Sequence, residues 1–269
     1  MAGRAGLQPR ARQAAKIAMA AALWTRVGAR RATEQVVGRG APTGRPTVRA
    51  TGVLQSREEW ERATRNMRAL RLPLHPDGSK NWDTLAAISS TLAHTSPAER
   101  VLDAGAALYS TFLPSLRLYG YTDLVGTNLE FGRRIALGGV RLERGDIEAT
   151  GFADGSFGAV VCLSVIEHGV DVRAFLTEAA RIVRPGGVVF VSTDYWAGGV
   201  DTTGLVAYGT PVRIFDRAAI EGLIAIAAQV GLRLEGDATD LDCHERAVHW
   251  KRFDLRYTYV ALTFRAETR

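Results

Sequence analysis

From Arg100 onward, short apolar runs alternate with longer helical patterns, and that alternation leaves few architectures open. The strand candidates are Arg100–Leu102, Asp123–Gly126, Val140–Glu143, Gly158–Leu163, Val188–Ser192, Leu232–Gly236 and Tyr257–Arg265. Helical patterns fall between most of them, at Thr111–Tyr119, Glu130–Leu137, Asp171–Val183 and Asp216–Val230. Near-continuous apolar strands separated by helices describe a parallel sheet covered on both faces. The last strand follows another strand with no helix between them, so it is expected to enter the sheet antiparallel. The expectation is a doubly wound α/β domain with a seven-stranded, mostly parallel sheet over residues 98–269.

Two helices precede it. Ser56 and Glu59 form a capping box, and Trp60, Ala63, Met67 and Leu70 share one face of the helix that follows. Pro73 and Pro76 end it, and a second helix is expected over Asn81–Leu92. Residues 51–97 thus read as an N-terminal helical cap. Residues 1–50 are Ala/Arg/Gly-rich, with a Gly/Pro-dense stretch at Gly38–Pro46, and read as a flexible tail.

The charge belongs to that tail. Of the chain's 34 Lys/Arg and 28 Asp/Glu, residues 1–50 hold ten and one, a net of +9, which leaves 24 against 27, a net of −3, for the remainder. A body of that sign is poorly suited to a phosphate backbone, so nucleic acid is an unlikely substrate unless the tail recruits it. The same tail could touch an anionic membrane. No apolar run reaches membrane-spanning length, and Ile17–Trp24 after Arg10, Arg12 and Lys16 is a weak signal-peptide core without a clear cleavage site. A cytoplasmic protein is expected. Its two cysteines, Cys162 in an apolar run and Cys243, suit free thiols. Cys243, His244, Glu245 and His249 fit no tetrahedral metal spacing, so no metal is expected.

In sheets of this kind ligands sit beyond the carboxyl ends of the strands. The first strand leads into Asp103-Ala104-Gly105-Ala106, a small-residue turn that lets backbone approach a ligand, and the next helix N-terminus favours an anion. About 25 residues on, Asn128, Leu129 and Glu130 close the second strand, where a ribose diol is commonly held. Asp146 and Ile147 close the third, offering a carboxylate and an apolar face. The spacing G-x-G-x-x-G with a later acid, which a dinucleotide oxidoreductase needs, is missing.

The series VLDAGA, GDIEATGFADGSFGAVVCLSVIEH and RIVRPGGVVFVSTD resembles the class I S-adenosylmethionine-dependent methyltransferases, in particular the small-molecule group called type 11, over about half the chain. The resemblance implies a Rossmann-like fold and S-adenosylmethionine as cofactor. It implies that Asp103, Gly105 and Ala106 flank the methionine part, Asn128 and Leu129 the ribose, Asp146 and Ile147 the adenine, and that Ser164 lines the floor beneath the sulfonium. The family usually carries a glycine where Ala106 stands and an acid where Asn128 stands.

Methyl transfer to a hydroxyl needs a base at a strand end. The candidates are His168, after the fourth strand, and Asp194, after the fifth. The connection Asp194–Phe215 is long, and long loops on the ligand edge are usually lids or binding loops. Tyr195, Trp196 and Tyr208 in it, and Trp82 in the cap, offer flat surfaces for an acceptor. The reading is O-methylation of a small molecule, a sugar or secondary metabolite. An inactive cofactor-fold interaction module and an RNA methyltransferase using the tail are the alternatives. Oligomeric state is left open.

Overall fold

The computed structural model describes residues 18, 21–23, 25–27, 40–49, 51–132, 134–137, 139–207, 209–236, 238 and 241–268. Most of the basic tail and Tyr208 lie outside the described residues.

The central strands are β2 (Val101–Ala104), β3 (Leu124–Thr127), β5 (Val140–Glu143), β6 (Phe157–Leu163) and β7 (Val183–Tyr195). They pair in parallel in the order β7-β6-β2-β3-β5. On the β7 edge, β12 (Leu255–Ala266) runs antiparallel, as expected for a strand reached without a crossover helix, and β10 (Leu232–Glu235) pairs beyond it.

The sheet has more strands than the seven expected. β1 (Gly52–Val53) and β11 (Val248–Trp250) add to β12, and β4 (Ile135–Leu137) folds back on β5. β4 replaces the helix expected over Glu130–Leu137. Gly132 and the Gly138-Gly139 pair flank a stretch too short to repay helix nucleation, and Gly139 sits at φ +88° in the turn into β5. Hairpin pairing is the cheaper use of these residues.

Each face of the sheet has its own core. On one, α1 (Arg57–Ala69), α2 (Asn81–His94) and α3 (Phe112–Leu118) pack through Met67, Ile88 and Leu116 onto Val101, Val161 and Phe190. On the other, α4 (Val172–Ile182) and α5 (Arg217–Gln229) bury Phe175, Leu176 and Leu223 against Leu102, Val160 and Val191. The cap is therefore part of the same packed body. Half of its capping box forms: Ser56 accepts from the Glu59 N–H, whereas the Glu59 carboxylate reaches past Ser56 to the Gln55 N–H at 2.7 Å.

A third apolar cluster sits past the strand ends. It joins Leu54, Tyr257 and Tyr259 to Ala207 and Val212 of a hairpin, β8 (Val206–Ala207) and β9 (Thr210–Pro211), within the long connection after β7. Cys162 and Cys243 are both free thiols.

Candidate active site

The sheet's carboxyl edge gathers most of the residues singled out from sequence. Asp103 ends β2 fully buried, and its Oδ2 accepts from Ser110 Oγ at 3.1 Å. Burial pushes its carboxyl up to about 7, with the Ser110 bond pulling the other way. The chain then turns at Gly105, whose φ is +92° and whose N–H donates to Thr127 O at 2.8 Å. A Cβ there would lie 2.7 Å from Val165 Cγ1, so both conformation and contact require glycine. Gly105→Ala is expected to cost about 2–4 kcal/mol in urea unfolding, with part returned by adding Val165→Ala. An unchanged midpoint would mean the turn is not held as described.

Asn128 fastens this turn to the neighbouring strand. Its Nδ2 donates to Ala106 O at 2.9 Å and Gly105 O at 3.3 Å, while its Oδ1 accepts from the Glu130 N–H. The amide at this position thus does what a carboxylate could not, since it donates to two carbonyls. Leu129 stands 59% exposed beside it. Asp146 is exposed and takes the Glu148 N–H, whereas Ile147, expected to pack on a ring, is buried in the second core. The exposed apolar surface of this edge is Leu129.

The neighbouring GFADGSF segment serves the fold. Arg181 of α4 binds Asp154 and Glu178, and Glu178 in turn takes the Thr150 hydroxyl and N–H.

Ser164 stands at the end of β6 with φ +52°, an uncommon conformation for a non-glycine residue. Its neighbour Val165 is the residue that presses on Gly105. Its own Oγ receives the Lys80 ammonium at 2.5 Å. Lys80 belongs to the turn that opens α2, and it was not singled out from sequence. Its Nζ also lies 3.8 Å from Asp194 Oδ1 and 4.0 Å from the centre of the Tyr259 ring. Asp83, one turn along α2, accepts from Ser192 Oγ at 2.8 Å and from Ser164 Oγ at 3.4 Å.

Two further carboxylates complete this cluster. Burial pushes Asp194 up to about 7, reinforced by Glu167 and opposed by Lys80 and Tyr257. Glu167, bonded to Thr193 Oγ1 at 2.9 Å, is likewise raised to about 7 by burial, with Lys80 opposing. Burial lowers His168, with the Asp194 charge working against it. For Lys80 itself burial favours the neutral form, but Asp194 and Asp83 more than offset it and hold the ammonium above its usual value. His75 of the cap packs its ring against Tyr109 of the loop after β2, so cap residues cover the Asp103 side as well.

The expectation for Tyr195 is corrected. Tyr195 is fully buried in the second core, and its hydroxyl donates to Leu241 O at 2.7 Å, so it cannot stack on an acceptor. β7 continues to Tyr195, and alternation sends Asp194 and Tyr195 to opposite faces. Trp196 is half-buried beneath the Arg246 guanidinium, and Trp82 donates to Glu59 on α1 at 3.1 Å. Both are packing residues in the third cluster.

The strand order and the glycine turn after β2 define a Rossmann-like α/β fold with carboxylates at the strand ends. Residues 102–191 match the family model described as a methyltransferase domain. A ubiquinone biosynthesis O-methyltransferase from Sinorhizobium medicae is 41% identical over 69 residues, covering 24% of this chain and 28% of that protein. One of the same name from Dechloromonas aromatica is 49% identical over 39 residues, covering 14% and 17%. The matches thus span about a quarter or less of the curated relatives' length. Among solved structures, an S-adenosylmethionine-dependent methyltransferase from Mesorhizobium loti aligns with TM-score 0.48 at 15% identity, over 70% of this chain and 99% of that one. A geranyl diphosphate C-methyltransferase from Streptomyces coelicolor aligns with TM-score 0.49 at 15% identity, over 84% and 90%. Among the described residues no helix is long and apolar enough to cross a membrane.

Proposed function

We propose that the protein is an S-adenosylmethionine-dependent methyltransferase that methylates a hydroxyl of a small molecule, a sugar or secondary metabolite. The observation that carries this reading is the buried Asp103 carboxyl beside the left-handed Gly105 turn, inside the segment that matches a methyltransferase domain. A cationic amino group is the natural partner for a buried carboxylate that meets no cation among the described residues. Gly105 turns the backbone beside the methionine part, with Val165 packed where its side chain would stand. Asn128 holds that turn and, with Glu130, faces the ribose. Leu129 and Asp146 take the adenine by an apolar face and a carboxylate, and Ser164 with Val165 closes the floor.

S-adenosylmethionine supplies an electrophilic methyl group, which passes to the acceptor oxygen as the carbon–sulfur bond breaks and sulfur keeps the electron pair. The protein's part is alignment and the removal of one proton. Asp194 is the better placed base, since burial raises its carboxyl to about 7 and its Oδ1 is buried without a hydrogen-bond partner among the described residues. His168 stands beside it as the second candidate. The names of the partial relatives support oxygen as the acceptor atom.

Calorimetric titration with S-adenosylhomocysteine is expected to give saturable binding at one site. No saturable heat at millimolar cofactor would leave the interaction-module reading in its place.

A further inference from the structure

Lys80 and Asp194 face each other across a gap that neither closes. At 3.8 Å, Nζ and Oδ1 are too far apart for a hydrogen bond; Tyr257 bonds the same carboxyl group, and among the described residues Oδ1 is buried with no hydrogen-bond partner. An unmade bond to a buried carboxylate oxygen is costly, so it points to something that completes it. An oxygen about 2.8 Å from each atom closes a triangle on that base. Oδ1 itself is covered, and the Lys80 side chain, 21% exposed against 6% for Asp194, is the side from which an acceptor would enter by moving Lys80 aside. The place of the gap in the site is set: Lys80 is tied to Ser164, whose neighbour Val165 lies against the Gly105 turn.

We propose that Lys80 Nζ and Asp194 Oδ1 together clamp the acceptor oxygen, with the acceptor hydroxyl donating its proton to Oδ1 and the ammonium hydrogen-bonding the same oxygen. This rests on the methyltransferase reading and deepens it by naming the acceptor class. As the O–H bond breaks, its electron pair stays on oxygen, the proton rests on Asp194, and Lys80 stabilises the negative charge that develops. The clamp suits neutral hydroxyl compounds, phenols and sugar alcohols alike. An ammonium acceptor would meet a fixed like charge, and a neutral amine presents no acidic proton for Asp194. Lys80 acts as a donor only. Asp83, Glu167 and Asp194 surround it and keep it protonated, which also excludes it as a base for Ser164. The groups facing Asp194 are Lys80 from the cap, Glu167 and His168 after β6, and Tyr257 and Tyr259 from β12.

The test follows the Asp194 carboxyl carbon by NMR in aspartate-labelled protein, the signal being identified by its loss in Asp194→Asn. Phenol is titrated in as the probe, with S-adenosylhomocysteine present. Phenol is expected to shift the Asp194 signal saturably, and aniline to do so at least tenfold more weakly. Lys80→Met should weaken the phenol response at least tenfold, and Lys80→Arg should restore it to within a fewfold; Lys80→Gln replaces Lys80→Met if the latter does not fold. A signal that ignores phenol in the wild type, or a response equal in Lys80→Met, overturns the clamp. The two readings fail separately: phenol binding at Asp194 without any S-adenosylhomocysteine binding removes the methyl donor and keeps the oxygen site.

Discussion

Asp194→Asn is expected to lower methyl transfer to a hydroxyl acceptor by about 10²–10⁴-fold while leaving S-adenosylhomocysteine affinity within a fewfold of the wild type. An amide has nearly the same shape and can still meet Lys80, but it cannot take a proton at neutral pH. The loss should therefore fall on kcat, because the acceptor is held and only its deprotonation is removed. The pH dependence has a defined sign. Asp194 is raised to about 7 by burial, so it is protonated and useless as a base below that value and ionised above it. Wild-type turnover should fall as pH drops through about 7, and that limb should vanish in Asp194→Asn. Release of S-adenosylhomocysteine from S-adenosylmethionine, followed across the pH range, measures both. Equal turnover in the variant would pass the role to His168, and His168→Ala would then carry the loss.

What the sequence made legible was the part governed by periodicity. The central strands were placed within a few residues because an apolar run with no polar interruption has only a buried strand to form at that length. The strand ends followed, and with them Asp103, Gly105, Asn128 and Ser164, because position at a strand's carboxyl end is a property of chain order. Their partners were less legible. Asn128 looked like a weak ribose ligand, yet its amide group spans two backbone carbonyls of the glycine turn. That bond depends on how far two loops approach, which no local pattern encodes.

The acceptor side was misread for a related reason. In the cap, Trp82 is the residue whose flat surface suggests an acceptor contact. The 3₁₀ turn at Gly78–Lys80 and the first turn of α2 instead send Lys80 and Asp83 to the sheet and Trp82 to α1. Tyr195 failed through strand length. β7 was expected to stop at Ser192, and pairing with β12 carries it to Tyr195, which converts a loop residue into core. In both cases a tertiary contact decided the direction of a side chain whose chemistry was plain.

Asp103 tests the cofactor side independently of any acceptor. In the free protein its carboxyl is raised to about 7 by burial, so near pH 6 it is mostly neutral. A bound amino group is a cation, and it stabilises the ionised form. Binding below pH 7 should therefore release up to one proton, and affinity should rise as pH climbs from about 6 to about 8. Calorimetry in two buffers of different ionisation enthalpy reads the proton directly. Asp103→Asn should lose the pH dependence, release no proton, and bind S-adenosylhomocysteine roughly 10–100-fold more weakly, the expected loss for one charge-assisted hydrogen bond. The weakening would not come from a damaged fold. A carboxyl whose folded value is raised stabilises the fold fully only below its unfolded value of about 4, and loses that contribution as pH rises through about 7. At about pH 8 the asparagine variant should be at least as stable as the wild type. Wild-type affinity in Asp103→Asn, with no proton exchanged in either protein, would mean that the methionine amino group lies elsewhere and that the strand-end ring holds some other ligand.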